Sequence, residues 1–370
     1  MPRVMKIPRL APLPDSLPAT VPFVGPETIE RRMGRGFAAR LGANENGFGP
    51  SPRAVAAMQA AVPGVWRYGD PSSHDLIAAL AAHLGLPADH VTVGEGVDTL
   101  LGNLVRLMIA PGDTVVTSDG AYPTFNYHVA GFGGRLHKVP YRGDAEDPAA
   151  LARAARDTGA RMVYLANPDN PMGSWVNGTG IAAMLDGLPP DCLLVLDEAY
   201  VEFAPADAVP RIAPHDPRVI RMRTFSKAYG LAGARIGYAT GHPQMIAAFD
   251  RVRNHFGVNR VAQAGALAAL QDQDWLARIR SQVAQARDRI GAIAAANGLA
   301  ALPSATNFVA IDTGRDGAFA RALVDALEAQ GVFVRMPGVA PLNRCIRVSC
   351  APEPELDIFA KALPEALARL

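Results

Sequence analysis

Along the chain, short, mostly apolar runs alternate with longer stretches in which apolar positions recur every three or four residues. Val91–Val93, Thr114–Thr117, Met162–Ala166, Cys192–Leu196, Val219–Met222 and Ile236–Ala239 are too short for helices and carry β-branched residues or leucine at their centres. That is the pattern of strands buried on both faces. The stretches between them, Val97–Ile109, Tyr122–Phe132, Pro148–Asp157 and Gly180–Leu188, have the helical period. Strand and helix in alternation predict an α/β fold, a mostly parallel sheet sandwiched by helices.

After Tyr238 the texture changes to longer helices, Pro243–His255, Arg260–Leu270 and Trp275–Asn297. A strand at Phe308–Ile311, a helix at Gly317–Gln330, strands at Val332–Met336 and Cys345–Ser349 and a closing helix Glu353–Leu370 follow, which predicts a smaller α+β domain. Residues 1–26 hold seven prolines and neither period, and read as an extended arm. The expected division is therefore 1–46 as arm and part of the small domain, 47–255 as the large domain, and 256–370 as the small C-terminal domain.

Composition narrows the function classes. In 370 residues, 36 Lys and Arg against 35 Asp and Glu leave a formal charge of +1, which offers nucleic acid no basic face. Apolar residues at 49% and charged residues at 19% are those of a folded globular chain. Cys192, Cys345 and Cys350 form no CxxC pair, so the expectation is a protein of the reducing cytoplasm without disulfides. Pro12, Pro14 and Pro18 interrupt any export signal, and no uncharged apolar run is long enough to span a membrane. The eight histidines lack ligand-like spacing, and no metal is assigned.

The chemistry concentrates where strands end. Arg223-Thr224-Phe225-Ser226-Lys227-Ala228-Tyr229-Gly230 leaves an apolar strand, and Arg235 follows eight positions after the lysine. Hydroxyls and a guanidinium suit a phosphate, while a lysine in an apolar site can lose its proton and attack a carbonyl carbon. Asp197 ends the strand before it, at the edge where open α/β sheets bind ligands. A carboxylate there could keep a pyridine nitrogen protonated. Asn167-Pro168-Asp169-Asn170-Pro171 leaves a third strand and would project an amide into the same crevice. Gly94-Glu95-Gly96 precedes a helix whose N-terminus favours an anion. Singly, these are ordinary loop residues and caps. Their order, each at a strand end, is what makes them specific.

With Leu41 to Pro52, Arg67-Tyr68-Gly69-Asp70 and Ile346-Arg347-Val348-Ser349, these motifs make nearly the whole chain resemble the fold-type I, class I/II pyridoxal-phosphate aminotransferases, and most of all their histidinol-phosphate branch. The resemblance implies pyridoxal 5'-phosphate as cofactor, with Lys227 its covalent anchor and proton shuttle and Asp197 the partner of its ring nitrogen. Tyr200 and Asn170 would hydrogen-bond its phenolate oxygen, and Tyr122 would stack on its ring. Thr224, Ser226 and Arg235, with the backbone of Gly96, Val97 and Asp98, would hold its phosphate. Tyr68 would reach that phosphate from a neighbouring subunit, implying a homodimer with shared sites. Arg347 would clamp the substrate α-carboxylate, and Asn44 would also face the substrate. Met172, Gly47 and Val97 depart from common family residues without removing a reactive group. The expected activity is amino-group transfer to a keto acid such as 2-oxoglutarate by a ping-pong cycle, from histidinol phosphate or, next, an aromatic amino acid. Decarboxylation of an amino-acid phosphate on the same scaffold is the alternative. A cofactor-binding regulator would need an added DNA-binding helix-turn-helix, for which the Pro-rich start leaves no room.

Overall fold

The structure is a computed structural model that describes residues 8–18 and 23–370. Its strands are β1 (Ala39–Arg40), β2 (Val91–Gly94), β3 (Thr114–Ser118), β4 (Arg135–Val139), β5 (Met162–Ala166), β6 (Leu193–Asp197), β7 (Val219–Thr224), β8 (Gly237–Gly241), β9 (Ala300–Ala301), β10 (Phe308–Asp312), β11 (Val332–Phe333) and β12 (Cys345–Ser349). Seven of them form the main sheet in the order β2-β8-β7-β6-β5-β3-β4. All neighbours are parallel except those of β8, which runs against both β7 and β2. The sheet is thus mostly parallel, as the apolar runs require.

Alternation along each strand sends side chains to opposite faces, and both faces are covered. Met162 and Tyr164 of β5 pack with the helices Val97–Met108 and Pro123–Gly131. Val163 and Leu165 pack with Pro148–Thr158 and Gly178–Asp186 on the other side. Local capping sets the helix starts: Asp147 and Asn177 each accept a hydrogen bond from a backbone N–H three residues on. Because β5, β6 and β7 run side by side, the loops after Ala166, Asp197 and Thr224 leave the sheet at one edge.

The remainder holds an antiparallel sheet ordered β12-β10-β9 and a two-stranded parallel pair of β1 with β11. The helix Gln273–Ala296 packs against β10 and the helix Glu353–Leu367, and Arg260–Gln271 lies on Pro52–Ala61 and His74–Leu84.

Several expectations need correction. Within the described part of the arm, Pro12–Asp15 form a helical turn and a helix starts at Pro26, each with proline in its first turn, where a missing N–H costs nothing. The rest of that expectation, residues 1–7 and 19–22, lies outside the described residues. The strand expected over Val332–Met336 ends at Phe333, and beyond it only Arg335 bridges Arg347. The helix expected over Pro243–His255 stops at Ala248 and passes into a single tighter turn. Edge strand β4 and the helices at Pro52 and His74 escaped the sequence reading.

Candidate active site

A cavity of about 610 Å³ opens at the carboxyl edge of the main sheet and is closed from the other side by Arg335–Val339 and Arg347. Lys227 enters it from the loop after β7, which Phe225 anchors by packing on Tyr229 and Tyr238 at 4.8 and 5.9 Å between ring centres. The Lys227 Nζ donates to the carbonyl of Asn44 at 3.0 Å and lies 5.7 Å from the centre of the Tyr200 ring. Burial, followed by the nearby Arg347, pushes this ammonium down to about 8. Lys227 is therefore a base within reach of neutral pH.

Asp197, the last residue of β6, accepts from the Tyr164 hydroxyl at 2.6 Å and from the Ala199 N–H at 3.0 Å. Burial pushes its carboxyl up to about 6 against those two donors. Tyr200, pushed up to about 12 by burial, accepts from Nδ2 of Asn44 at 3.1 Å. Asn44 has a left-handed backbone (φ 52°) and is tied by its N–H to Oγ of Ser349 at 3.0 Å.

At one end the cavity has the chemistry of an anion cup. The helix Val97–Met108 presents its first N–H groups there, and such groups have no partner inside a helix. Gly96 stands just behind at φ 88°; a Cβ on it would lie 2.5 Å from Nη2 of Arg235, so only glycine lets the guanidinium in. Arg235 Nη1 donates to Oγ of Ser226 at 3.5 Å, and Ser226 N–H donates to Oγ1 of Thr224 at 3.0 Å. Arg235 holds the uncommon left-handed conformation (φ 55°), a cost the surrounding contacts must offset. Asp98 sits beside it, 3.8 Å from Nη2, and accepts from the Tyr122 hydroxyl at 2.9 Å.

At the other side Arg347 is half-buried, its guanidinium 5.2 Å from the centre of the Phe308 ring. Nη1 donates to Oδ1 of Asn170, which leaves the Asn170 NH2 without a partner among the described residues. Nε of Arg347 has no partner among the described residues. Tyr68 is placed elsewhere: it is 77% exposed and packs on Phe256 at 4.8 Å between ring centres, away from this cavity.

Residues 39–363 match the family described as "Aminotransferase class I and II". The chain belongs to that family. Among curated relatives, histidinol-phosphate aminotransferase from Moorella thermoacetica is 35% identical over 357 residues, 95% of this chain and 92% of its own. Its counterpart from an Anaeromyxobacter species is 38% identical over 89% of this chain and 91% of its own. The crystal structure of histidinol-phosphate aminotransferase from Sinorhizobium meliloti in complex with pyridoxal-5'-phosphate superposes with a TM-score of 0.96, at 56% identity over 98% of this chain and 99% of that one.

In this aminotransferase four groups escape the sequence: Tyr164 and Arg335, which line the cavity, and Glu146 and Asp169, buried beside residues that do. Tyr164 sits within the apolar run of β5, and nothing in the sequence distinguishes it from a core residue. Glu146, wholly buried, accepts from Oγ of Ser118 at 2.6 Å and the N–H of Ala166 at 3.0 Å, and burial raises its carboxyl well above the usual range. Asp169, also raised by burial, accepts from the Tyr141 hydroxyl at 2.8 Å; it lies inside a motif already singled out, and that was its one sequence signal. Arg335 lines the cavity with its guanidinium between the rings of Phe23 and Phe333, at 5.7 and 5.4 Å. No spacing in the sequence marks it.

Proposed function

We propose that this protein is a pyridoxal 5'-phosphate-dependent aminotransferase that moves the amino group of histidinol phosphate to 2-oxoglutarate, as a cytoplasmic homodimer with shared sites. The observation that carries the reading is the placing of the Lys227 amine, the Asp197 carboxylate and an anion cup around one cavity. The residues fit the cofactor. The cup of Gly96, Val97, Asp98, Thr224, Ser226 and Arg235 supplies N–H, O–H and guanidinium donors for a phosphate, and Gly96 lacks the Cβ that would displace the Arg235 guanidinium. Asp197 would face the ring nitrogen, Tyr200 and the NH2 of Asn170 the phenolate oxygen, and Tyr122 the ring. Tyr68 of a second copy would complete the cup. We take residues 47–255 as the unit that holds the cofactor.

When bound, pyridoxal phosphate supplies a carbonyl that condenses with amines and a conjugated ring that accepts the electron pair of a broken bond. The chain's own residues direct that capacity. Lys227 Nζ would take the proton from the substrate α-carbon and hold it for return, a role that its lowered proton affinity suits to neutral pH. Asp197 keeps a negative charge beneath the site. Arg347 fixes the α-substituent of the substrate.

Substrate chemistry follows from two guanidiniums. Arg335 and Arg347 are joined by their backbones, N–H to carbonyl at 3.2 and 2.6 Å, and both line the cavity. Histidinol phosphate carries a phosphate ester where an amino acid carries its α-carboxylate, and 2-oxoglutarate carries two carboxylates. A guanidinium can meet either group with paired hydrogen bonds.

The test is a panel of amino donors offered to the pyridoxal-phosphate form with 2-oxoglutarate. Histidinol phosphate should show the highest kcat/KM and yield glutamate. Preference for an aromatic amino acid would move the donor, and release of carbon dioxide without glutamate would overturn transamination.

A further inference from the structure

Tyr164 lies in the middle of β5, flanked by Val163 and Leu165, and by its sequence is a core residue. Parallel pairing sets Tyr164 opposite Val195 and Ala166 opposite Asp197, so the tyrosine is one same-face step behind the carboxylate. Its length spans that step. The ring is fully buried and stacked on Phe125, 4.6 Å between centres and 18° from parallel. Its hydroxyl donates to Oδ2 of Asp197 at 2.6 Å, while Oδ1 takes the Ala199 N–H. One fixed donor on each oxygen sets the rotation of the carboxylate and leaves a lone pair on each for a group in the cavity.

We propose that Tyr164 is a positioning residue whose hydroxyl orients the Asp197 carboxylate and sustains its negative charge for the ring nitrogen of the cofactor. The proposal rests on the reading of this cavity as the pyridoxal-phosphate site. A buried carboxylate keeps its charge only through donors. Around Asp197 the ionisable neighbours are Asp98 from the helix at Val97, Glu198 beside it, Glu146 from the loop before Pro148, and Tyr200. Burial first, then Asp98 and Glu198, oppose its ionisation, Asp197 in turn helps to hold Glu146 protonated, and the Tyr164 hydroxyl favours the charged carboxylate. Burial and Asp197 itself hold the Tyr164 phenol well above its ordinary value, so it remains a donor at any working pH.

The test is Tyr164→Phe in the cofactor-loaded protein, since phenylalanine keeps the stack on Phe125 and removes one oxygen. The cofactor dissociation constant should rise and kcat should fall, each about tenfold to a hundredfold, as for a lost hydrogen bond to a charged group. The donor KM should stay within about threefold. The pH titration of the bound cofactor's absorption band should move to higher pH, because a less firmly charged ring draws less electron density from the Lys227 nitrogen. Asp197→Asn removes the charge that the hydroxyl supports, so adding Tyr164→Phe to it should cost no more than about twofold further. Should Tyr164→Phe fail to fold, 3-fluorotyrosine at position 164 packs alike, donates more strongly, and should move the titration to lower pH. Wild-type affinity and titration in Tyr164→Phe, full additivity with Asp197→Asn, or no shift with fluorotyrosine would each reduce Tyr164 to a packing residue. If the unmodified protein takes up no pyridoxal phosphate, the reading of the cavity falls as well.

Discussion

The Lys227 ammonium donates to the backbone carbonyl of Asn44 at 3.0 Å, joining the loop after β7 to a segment that runs on from β1. Asn307 holds the same carbonyl from the loop before β10, its Nδ2 at 3.1 Å. The nucleophile is therefore held by the scaffold while its own side chain supports little of the core. Lys227→Ala should fold normally and lose at least roughly 10⁴-fold in kcat, since it removes the covalent anchor together with a base worth 10²–10⁴ alone. Borohydride reduction of the loaded protein, followed by peptide mapping, should place the label on Lys227. A label on another lysine would refute the assignment.

The proton affinity of Lys227 gives a pH test in the cofactor-free protein. Its folded value of about 8 lies below the ordinary lysine value of 10.5, so between those two pH values the folded state binds fewer protons than the unfolded chain. Lys227 thus costs stability below about pH 8, on the order of 3 kcal/mol, and the cost fades as pH rises toward 10.5. Lys227→Met should raise the Tm at pH 7 and have progressively less effect toward pH 10. A Tm difference that does not change with pH would contradict this.

Glu198 tests the floor of the site. Its side chain is 1% exposed and accepts from Nε of Arg221 at 3.0 Å and Nε of Arg223 at 2.8 Å. Burial pushes its carboxyl up, but Arg223 and Arg221 together outweigh burial and hold it below the usual range. Glu198→Ala should cost about 3–5 kcal/mol, because two guanidiniums lose their counter-charge. With the folded value depressed, the stabilisation is present above about pH 4.5 and lost as pH falls below it. Denaturant titrations at pH 7 and pH 4 should show the variant's deficit shrinking at the lower pH.

Arg347→Lys should weaken both half-reactions by a similar factor, about 1.5–3 kcal/mol in transition-state binding, with cofactor affinity nearly unchanged. A lysine presents one point charge where the guanidinium presents a fork. Single-turnover rates with the amino donor and with the keto acid are the measurement. A variant that loses cofactor but keeps those rates would move Arg347 to the scaffold and leave another residue to hold the substrate anion.

Tyr68, exposed on this chain, should matter only between chains. Tyr68→Ala should lower cofactor affinity while leaving unfolding within about 0.5 kcal/mol, as for a surface change. Sedimentation at micromolar concentration should find a dimer, and a fully active monomer would sink the shared-site reading.

What the sequence by itself determined was the order of elements and the loops that carry chemistry. Strands β5 and β6 are buried on both faces, so each had to be a nearly unbroken apolar run, and a polar residue at its end stood out as Asn167 and Asp197 do; β7 keeps that character at Val219, Ile220 and Met222 while its Arg221 and Arg223 pair with the buried Glu198. The same logic hid β4: at the sheet's edge its Arg135, His137 and Lys138 reach solvent, and no buried run betrays the strand. Tyr164, Glu146 and Arg335 were equally hidden, because a strand tyrosine, a loop glutamate and an arginine after a short strand look the same whether or not they serve a site. Only strand register set the Tyr164 hydroxyl against Asp197, and only the bridge between Arg335 and Arg347 brought two guanidiniums to one cavity. Periodicity and motif spacing are local, whereas a hydrogen bond across strands or a pair of like charges is made by segments far apart in the chain, and folding alone decides which of them meet.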